Sequence, residues 1–114
     1  MTSQGSPGGR FERAVSRGQL FHAELAARAM GKLSLGHALA LCQLFAEADD
    51  PRFERAAVRW HGRLVLERQV VTLADSQLIL AALVGLKAVG ADAGPLLLTL
   101  AARYGADLGA RKSG

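Results

Sequence analysis

Apolar residues recur with a helical period along most of the chain, and the pattern is clearest between residues 34 and 48. Starting at Leu35, they recur at i+3, i+4, i+7, i+10 and i+11, which is one face of an α-helix. Leu41 and Leu44 lie off that face. Because a helix that is apolar on two sides packs between neighbours, this segment is predicted to be sandwiched between other helices.

Glycine, proline and capping residues divide the rest of the pattern into further helices. The predicted helices cover about residues 10–17, 20–30, 34–48, 51–69, 72–89 and 95–104. Ser34 and Thr72 are predicted N-caps, and Gly31 is a predicted C-cap. Asp50 is a predicted N-cap that precedes Pro51 at the first helical position. The fifth helix is apolar nearly all round and is predicted to be the most buried element.

These elements predict an all-α fold with about six helices in three stacked antiparallel hairpins, a short α-solenoid-like bundle. A chain of 114 residues fits a single domain. The polar, glycine-rich segment 1–9 is predicted to be a disordered leader, residues 10–105 a single helical domain, and residues 106–114 a flexible tail.

A short internal sequence repeat supports a fold built from repeated helical units. The sequence of Arg10–Ala14 recurs identically as Arg52–Ala56, 42 residues later. A period near 40 residues in paired helices is typical of helical-hairpin solenoids. The alternative is that two amphipathic helices share five residues by coincidence.

Two resemblances point the same way. The alanine-rich segments 23–30 and 38–48, followed by Asp50 and Pro51, are similar to tetratricopeptide-like (TPR-like) and HEAT-like repeats, although neither consensus is complete. The segment 10–104, above all Ala56–Glu67, resembles a family of uncharacterised short bacterial all-helical proteins. These resemblances imply a helical fold and bring no particular activity.

The chain is basic, with a net charge of +4 and a pI near 10, which admits nucleic acid, an acidic protein surface or an anionic ligand as a partner. Its single cysteine, Cys42, cannot form an internal disulfide and favours a reducing compartment. No segment has the length and composition of a secretory signal or of a membrane span. We therefore expect a cytoplasmic protein without a membrane partner.

Arginines form the clearest candidate surface for a partner or for phosphate groups. Its predicted members are Arg52, Arg55, Arg59 and Arg63 on the fourth helix, and Arg10, Arg13 and Arg17 on the first. Successive spacings of three, four and four residues on the fourth helix, and of three and four on the first, place each set on one side of its helix. If the two helices stack as equivalent repeats, they form one basic surface that can hold phosphates. The alternative is a pair of solvated faces in which these arginines pair with Glu12, Glu54 or Glu67.

The remaining candidate side chains favour structural roles. His22, His37 and His61 lie on three different helices, and none has a metal-ligand neighbour three or four residues away. Cys42 is interpreted as a core residue, and so is Trp60, for which a stacking platform is the alternative. No catalytic motif is present, so we expect neither an enzyme nor a metal or other cofactor.

The function predicted from these patterns is a non-catalytic protein-interaction module or adaptor. The alternative is a nucleic-acid-associated accessory protein that uses the arginine-rich helix face. A third possibility is a homo-oligomer, for which the candidate contact residues are Leu96, Leu97, Leu98 and Leu100.

Overall fold

A computed structural model describes residues 6–68 and 71–89, and within these ranges the chain forms helices joined by short connections, with no strand. The helices are α1 (Pro7–Ser16), α2 (Leu20–Met30), α3 (Leu35–Glu47), α4 (Phe53–Glu67) and α5 (Leu73–Val89). The prediction of an all-α fold is confirmed for this part of the chain. The predicted sixth helix at 95–104, its leucines and the predicted tail at 106–114 lie outside the described residues.

The first helix starts at Pro7 instead of at about residue 10. The side-chain oxygen of Ser6 accepts a hydrogen bond from the Gly9 amide at 3.0 Å, so Ser6 is the N-cap and Pro7 takes the first helical position. Proline suits this position because its missing N–H would have no helical partner there. Residues 7–9, which the sequence placed in the leader, are therefore helical despite the two glycines.

Most of the predicted caps are confirmed. Ser34 accepts a hydrogen bond from the His37 amide at 3.0 Å, and Thr72 accepts one from the Asp75 amide at 3.1 Å. Gly31 follows α2 with a positive φ of 81°, a conformation that glycine adopts without steric cost.

The start of α4 differs from the prediction by two residues. The amide of Phe53 donates to the carbonyl of Asp50 at 3.0 Å, and the Asp50 carboxylate accepts from the Arg52 amide at 2.8 Å. These bonds close a turn with Pro51 at its second position, which proline favours. Consequently Asp50 is not the N-cap and Pro51 is not helical, because the turn is completed before the helix begins at Phe53.

Two hydrophobic clusters form the core, and α3 belongs to both. One cluster joins α3 to α4 and α5 through Leu35, Leu39, Cys42, Phe45, Phe53, Ala57, Trp60, Leu64, Ile79, Ala82, Leu83 and Leu86. The other joins it to α1 and α2 through Phe11, Ala14, Ala23, Ala26, Ala27, Ala40 and Leu44. The prediction that α3 is sandwiched between neighbours is confirmed.

The prediction that the fifth helix is the most buried element is wrong for the described residues. Only one face of α5 is buried, at Ile79, Ala82, Leu83 and Leu86. Other faces expose Leu73, Leu78, Leu80 and Val84. The most enclosed helix is instead α3, in which seven of thirteen residues are buried.

The helices pack in neighbouring pairs, with α1 mainly on α2 and α3 mainly on α4. The partner required to make α5 part of a third hairpin is the predicted helix at 95–104, which is outside the described residues, so the solenoid arrangement remains a prediction. None of the described helices is long and apolar enough to cross a bilayer.

Candidate functional site

Arg52, at the start of the predicted arginine stripe, is engaged in a network of acids. Its two terminal nitrogens donate to the two carboxylate oxygens of Glu24, each at 2.8 Å. Its Nε and Nη2 also donate to Asp50, at 3.0 and 2.9 Å, and its guanidinium lies 4.8 Å from the centre of the Phe45 ring. Hydrogen bonds to Asp50 and then to Glu24 raise the pKa of Arg52. Arg52 therefore connects α2 to the beginning of α4.

Arg63, at the other end of the stripe, is also ion-paired. Its Nε donates to the carboxylate of Glu67 at 2.6 Å, one helical turn further along α4. This bond lowers the pKa of Glu67. Arg63 thus pairs with Glu67, one of the acids expected for a solvated face. Arg52, the N-cap residue of α4, pairs instead with Glu24 and Asp50, which were not among the expected acids.

Arg55 and Arg59 occupy the middle of the stripe, and both are exposed. Neither forms a salt bridge with another described residue. Their surroundings differ, because Arg59 also lines a groove between α3 and α4, whereas Arg55 does not. The two side chains consequently form a natural pair for comparison.

The three arginines predicted for the first helix have different neighbours from those of the other stripe. Arg10 and Arg13 lie on α1, and Arg17 is its C-cap. Arg10, Arg13 and Arg17 line a groove between α1 and α2. Among the described helices, α1 packs against α2 and α3, whereas α4 packs against α3 and α5. The stacking of α1 on α4 that would merge all seven arginines is not among the main helix contacts of the described residues.

The groove between α3 and α4, which we call the α3/α4 groove, has a volume of about 420 Å³. It is lined by Leu33, Ala38, Leu41, Cys42, Phe45, Ala56, Arg59, Trp60 and Arg63. Apart from the two arginines the lining is apolar or aromatic, as is usual for ligand and peptide grooves. The arrangement can accept an apolar group while presenting positive charge at its edge.

Buried side chains form the floor of the α3/α4 groove. The indole of Trp60 is 2% exposed, and its Nε1–H donates to the carbonyl of Leu35 at 2.8 Å, which confirms the core interpretation. Burial raises the pKa of the Cys42 thiol to about 12, and the nearby charge of Arg59 opposes part of that rise. A neutral thiol of this kind is a poor nucleophile, so Cys42 is a packing residue.

A second apolar groove, between α4 and α5, was missed by the sequence analysis. It has a volume of about 360 Å³, with Phe53, Ala57 and Leu83 among its buried lining. Val58 and Val84 at its edges are 62% and 63% exposed. The apolar residues on all sides of α5 could have indicated this groove, but they were taken to predict a buried helix.

Two of the three histidines contact other polar side chains. His37 Nε2 is 3.3 Å from a carboxylate oxygen of Glu12, and His61 Nε2 is 2.9 Å from the hydroxyl of Ser76. Within the described residues, no group of three or more His, Cys, Asp or Glu side chains is placed to hold a metal ion.

Comparison of the chain with protein-family models, with curated proteins and with solved structures gives no match.

Proposed function

We propose that this protein is a non-catalytic interaction module whose α3/α4 groove binds an acidic amphipathic helix of another protein. The observation that carries the proposal is Arg59, an exposed cation without a salt bridge to any described residue, at the edge of an apolar groove. Such an edge favours a partner with carboxylates beside its apolar side chains. The predicted helical-repeat organisation supports the same function, because repeat folds present grooves for partner segments.

The dimensions of the groove suit two turns of a partner helix. Its lining runs from Ala38 to Phe45 on α3 and from Ala56 to Arg63 on α4. At a rise of about 1.5 Å per residue, either stretch is roughly 10 Å long. Apolar side chains at i, i+3 or i+4, and i+7 of a bound helix cover that distance.

A charge-swap experiment tests this proposal. The intact protein is titrated with an amphipathic helical peptide that carries leucines at that spacing and flanking glutamates, and with the same peptide carrying lysines instead. Trp60 is the only tryptophan in the chain and lies in the groove floor, so its fluorescence reports binding. We expect the acidic peptide to bind more tightly, and Arg59→Glu to reverse that preference.

Arg55→Glu is the matched control, because it makes the same charge change on the same helix outside the α3/α4 groove. It is expected to retain the preference for the acidic peptide. If neither peptide binds, or if Arg55→Glu and Arg59→Glu have equal effects, the proposal is wrong.

A tagged pull-down from native cells, divided into nuclease-treated and untreated halves, distinguishes the nucleic-acid alternative. We expect a protein partner that is retained in both halves and lost with Arg59→Glu. Recovery that disappears after nuclease treatment would favour the arginine-rich face as a nucleic-acid surface. The ion pairs of Arg52 and Arg63 count against that alternative, because they leave fewer cations along the predicted stripe for phosphates.

A further inference from the structure

A basic groove between α1 and α2 is separate from the α3/α4 groove and shares no lining residue with it. We call it the α1/α2 groove. Its volume is about 480 Å³, and its lining comprises Arg10, Arg13, Ala14, Arg17, Gln19, His22, Leu25 and Ala26. Five of these eight side chains can donate hydrogen bonds, and none is a carboxylate.

Neither acid of the two helices is among the residues that line the α1/α2 groove. Each helix has one acid, Glu12 in α1 and Glu24 in α2. Glu12 lies against His37 of α3, and Glu24 accepts two hydrogen bonds from Arg52. Both carboxylates therefore have partners outside the groove, whereas Arg10, Arg13 and Arg17 line it.

The spacing of the arginines indicates an extended ligand. From Arg10 to Arg17, the C-cap residue of α1, the rise along the helix axis is roughly 10 Å, at about 1.5 Å per residue. Guanidinium groups bind phosphate oxygens through paired N–H donors, and they do so better than lysine does. Gln19 and His22, at the connection and on α2, place further donors on the facing side of the groove.

We propose that the α1/α2 groove binds a chain of linked phosphate groups. Three cations in a row along one wall fit several phosphates better than a single one. The chain can be free or can be carried on a nucleoside, and the experiment distinguishes these two sources.

The test is an NMR and calorimetric titration of the full chain with inorganic tripolyphosphate and, in parallel, with a nucleoside triphosphate. Amide shifts are expected at Ala14, Gln19 and Ala26, with binding that weakens between about 50 and about 200 mM salt. Equal affinity for both probes identifies the phosphate chain alone as the ligand, and a higher affinity for the nucleotide identifies the nucleoside-borne chain. The proposal predicts binding of at least one of them in the groove.

Charge-removing variants localise the site. Arg13→Gln and Arg17→Gln are each expected to weaken binding roughly tenfold or more, because each removes charge-assisted hydrogen bonds. Arg28→Gln is the matched control, since Arg28 is exposed on α2 and does not line the groove. Its expected effect is within about twofold. Circular dichroism establishes that each variant is folded before it is titrated.

Three results would overturn the proposal. The first is the absence of binding by either phosphate probe. The second is an equal loss for Arg28→Gln and Arg17→Gln, which would show non-specific attraction to a basic protein. The third is tight binding of a single-stranded oligonucleotide without binding of either small probe, which would assign the groove to nucleic acid.

Discussion

Trp60 provides a quantitative test of the core between α3 and α4. The change Trp60→Phe removes the Nε1–H that donates to the Leu35 carbonyl and replaces the indole with a smaller ring at a site that is 2% exposed. A hydrogen bond of this kind contributes a net value of about 1 kcal/mol. The missing part of the indole leaves a void, which adds about 1–2 kcal/mol. We therefore expect the free energy of unfolding to fall by about 2–3 kcal/mol.

Urea denaturation followed by far-ultraviolet circular dichroism measures this change, because the variant has no tryptophan for a fluorescence assay. The dependence of the free energy on urea is expected to stay constant while the midpoint falls. Phe21→Leu is the control, since Phe21 is 67% exposed, and its effect should be within about 0.5 kcal/mol. A loss below about 1 kcal/mol for Trp60→Phe would refute both the buried hydrogen bond and the packing argument.

Two further predictions concern a thiol and a helix cap. Because burial raises the pKa of Cys42 to about 12, the thiol stays protonated at neutral and mildly alkaline pH. We therefore expect iodoacetamide to label Cys42 only after the protein unfolds, and mass spectrometry measures the labelling. Labelling of the native protein at the rate of the denatured chain would contradict this. Ser34→Ala removes the acceptor of the His37 amide and should destabilise the protein by about 1 kcal/mol in the same urea assay. Ser16→Ala, which removes an exposed side-chain bond to a backbone carbonyl, should cost less, and equal losses would argue against a specific N-cap at α3.

Features encoded within one or two helical turns were predicted well from the sequence. Ser34 caps α3 and Gly31 ends α2 because these roles depend on the residue and on its immediate neighbours along the chain. The position of α3 between two clusters was also predictable, since its apolar residues cover two sides.

Features that depend on distant helices were not predicted. The pairing of Arg52 with Glu24 joins residues 28 positions apart, and no spacing rule along the chain indicates that α2 approaches the start of α4. The exposure of α5 was missed for a related reason. Composition shows which faces are apolar, but the packing of the other helices decides which of them are covered, and Leu80 and Val84 are not.

The division of the candidate arginines likewise depends on tertiary packing. Arg55 and Arg59 are four residues apart on one helix, yet only Arg59 borders the α3/α4 groove. A helical stripe identifies residues that face one side, but the neighbouring helix determines which of them lie beside an apolar depression.

Because α3 contributes residues to both hydrophobic clusters, ligands of the two grooves can be detected by one stability measurement. Because Leu20 and Leu41 pack against both clusters, neither cluster can be dismantled without disturbing the other, and we expect one cooperative melting transition. A molecule that binds only the native state raises the unfolding free energy of the whole cooperative unit. A peptide in the α3/α4 groove and a phosphate chain in the α1/α2 groove would therefore each raise the midpoint temperature of the same melting transition. One thermal scan of the intact protein thus serves as a screen for both grooves.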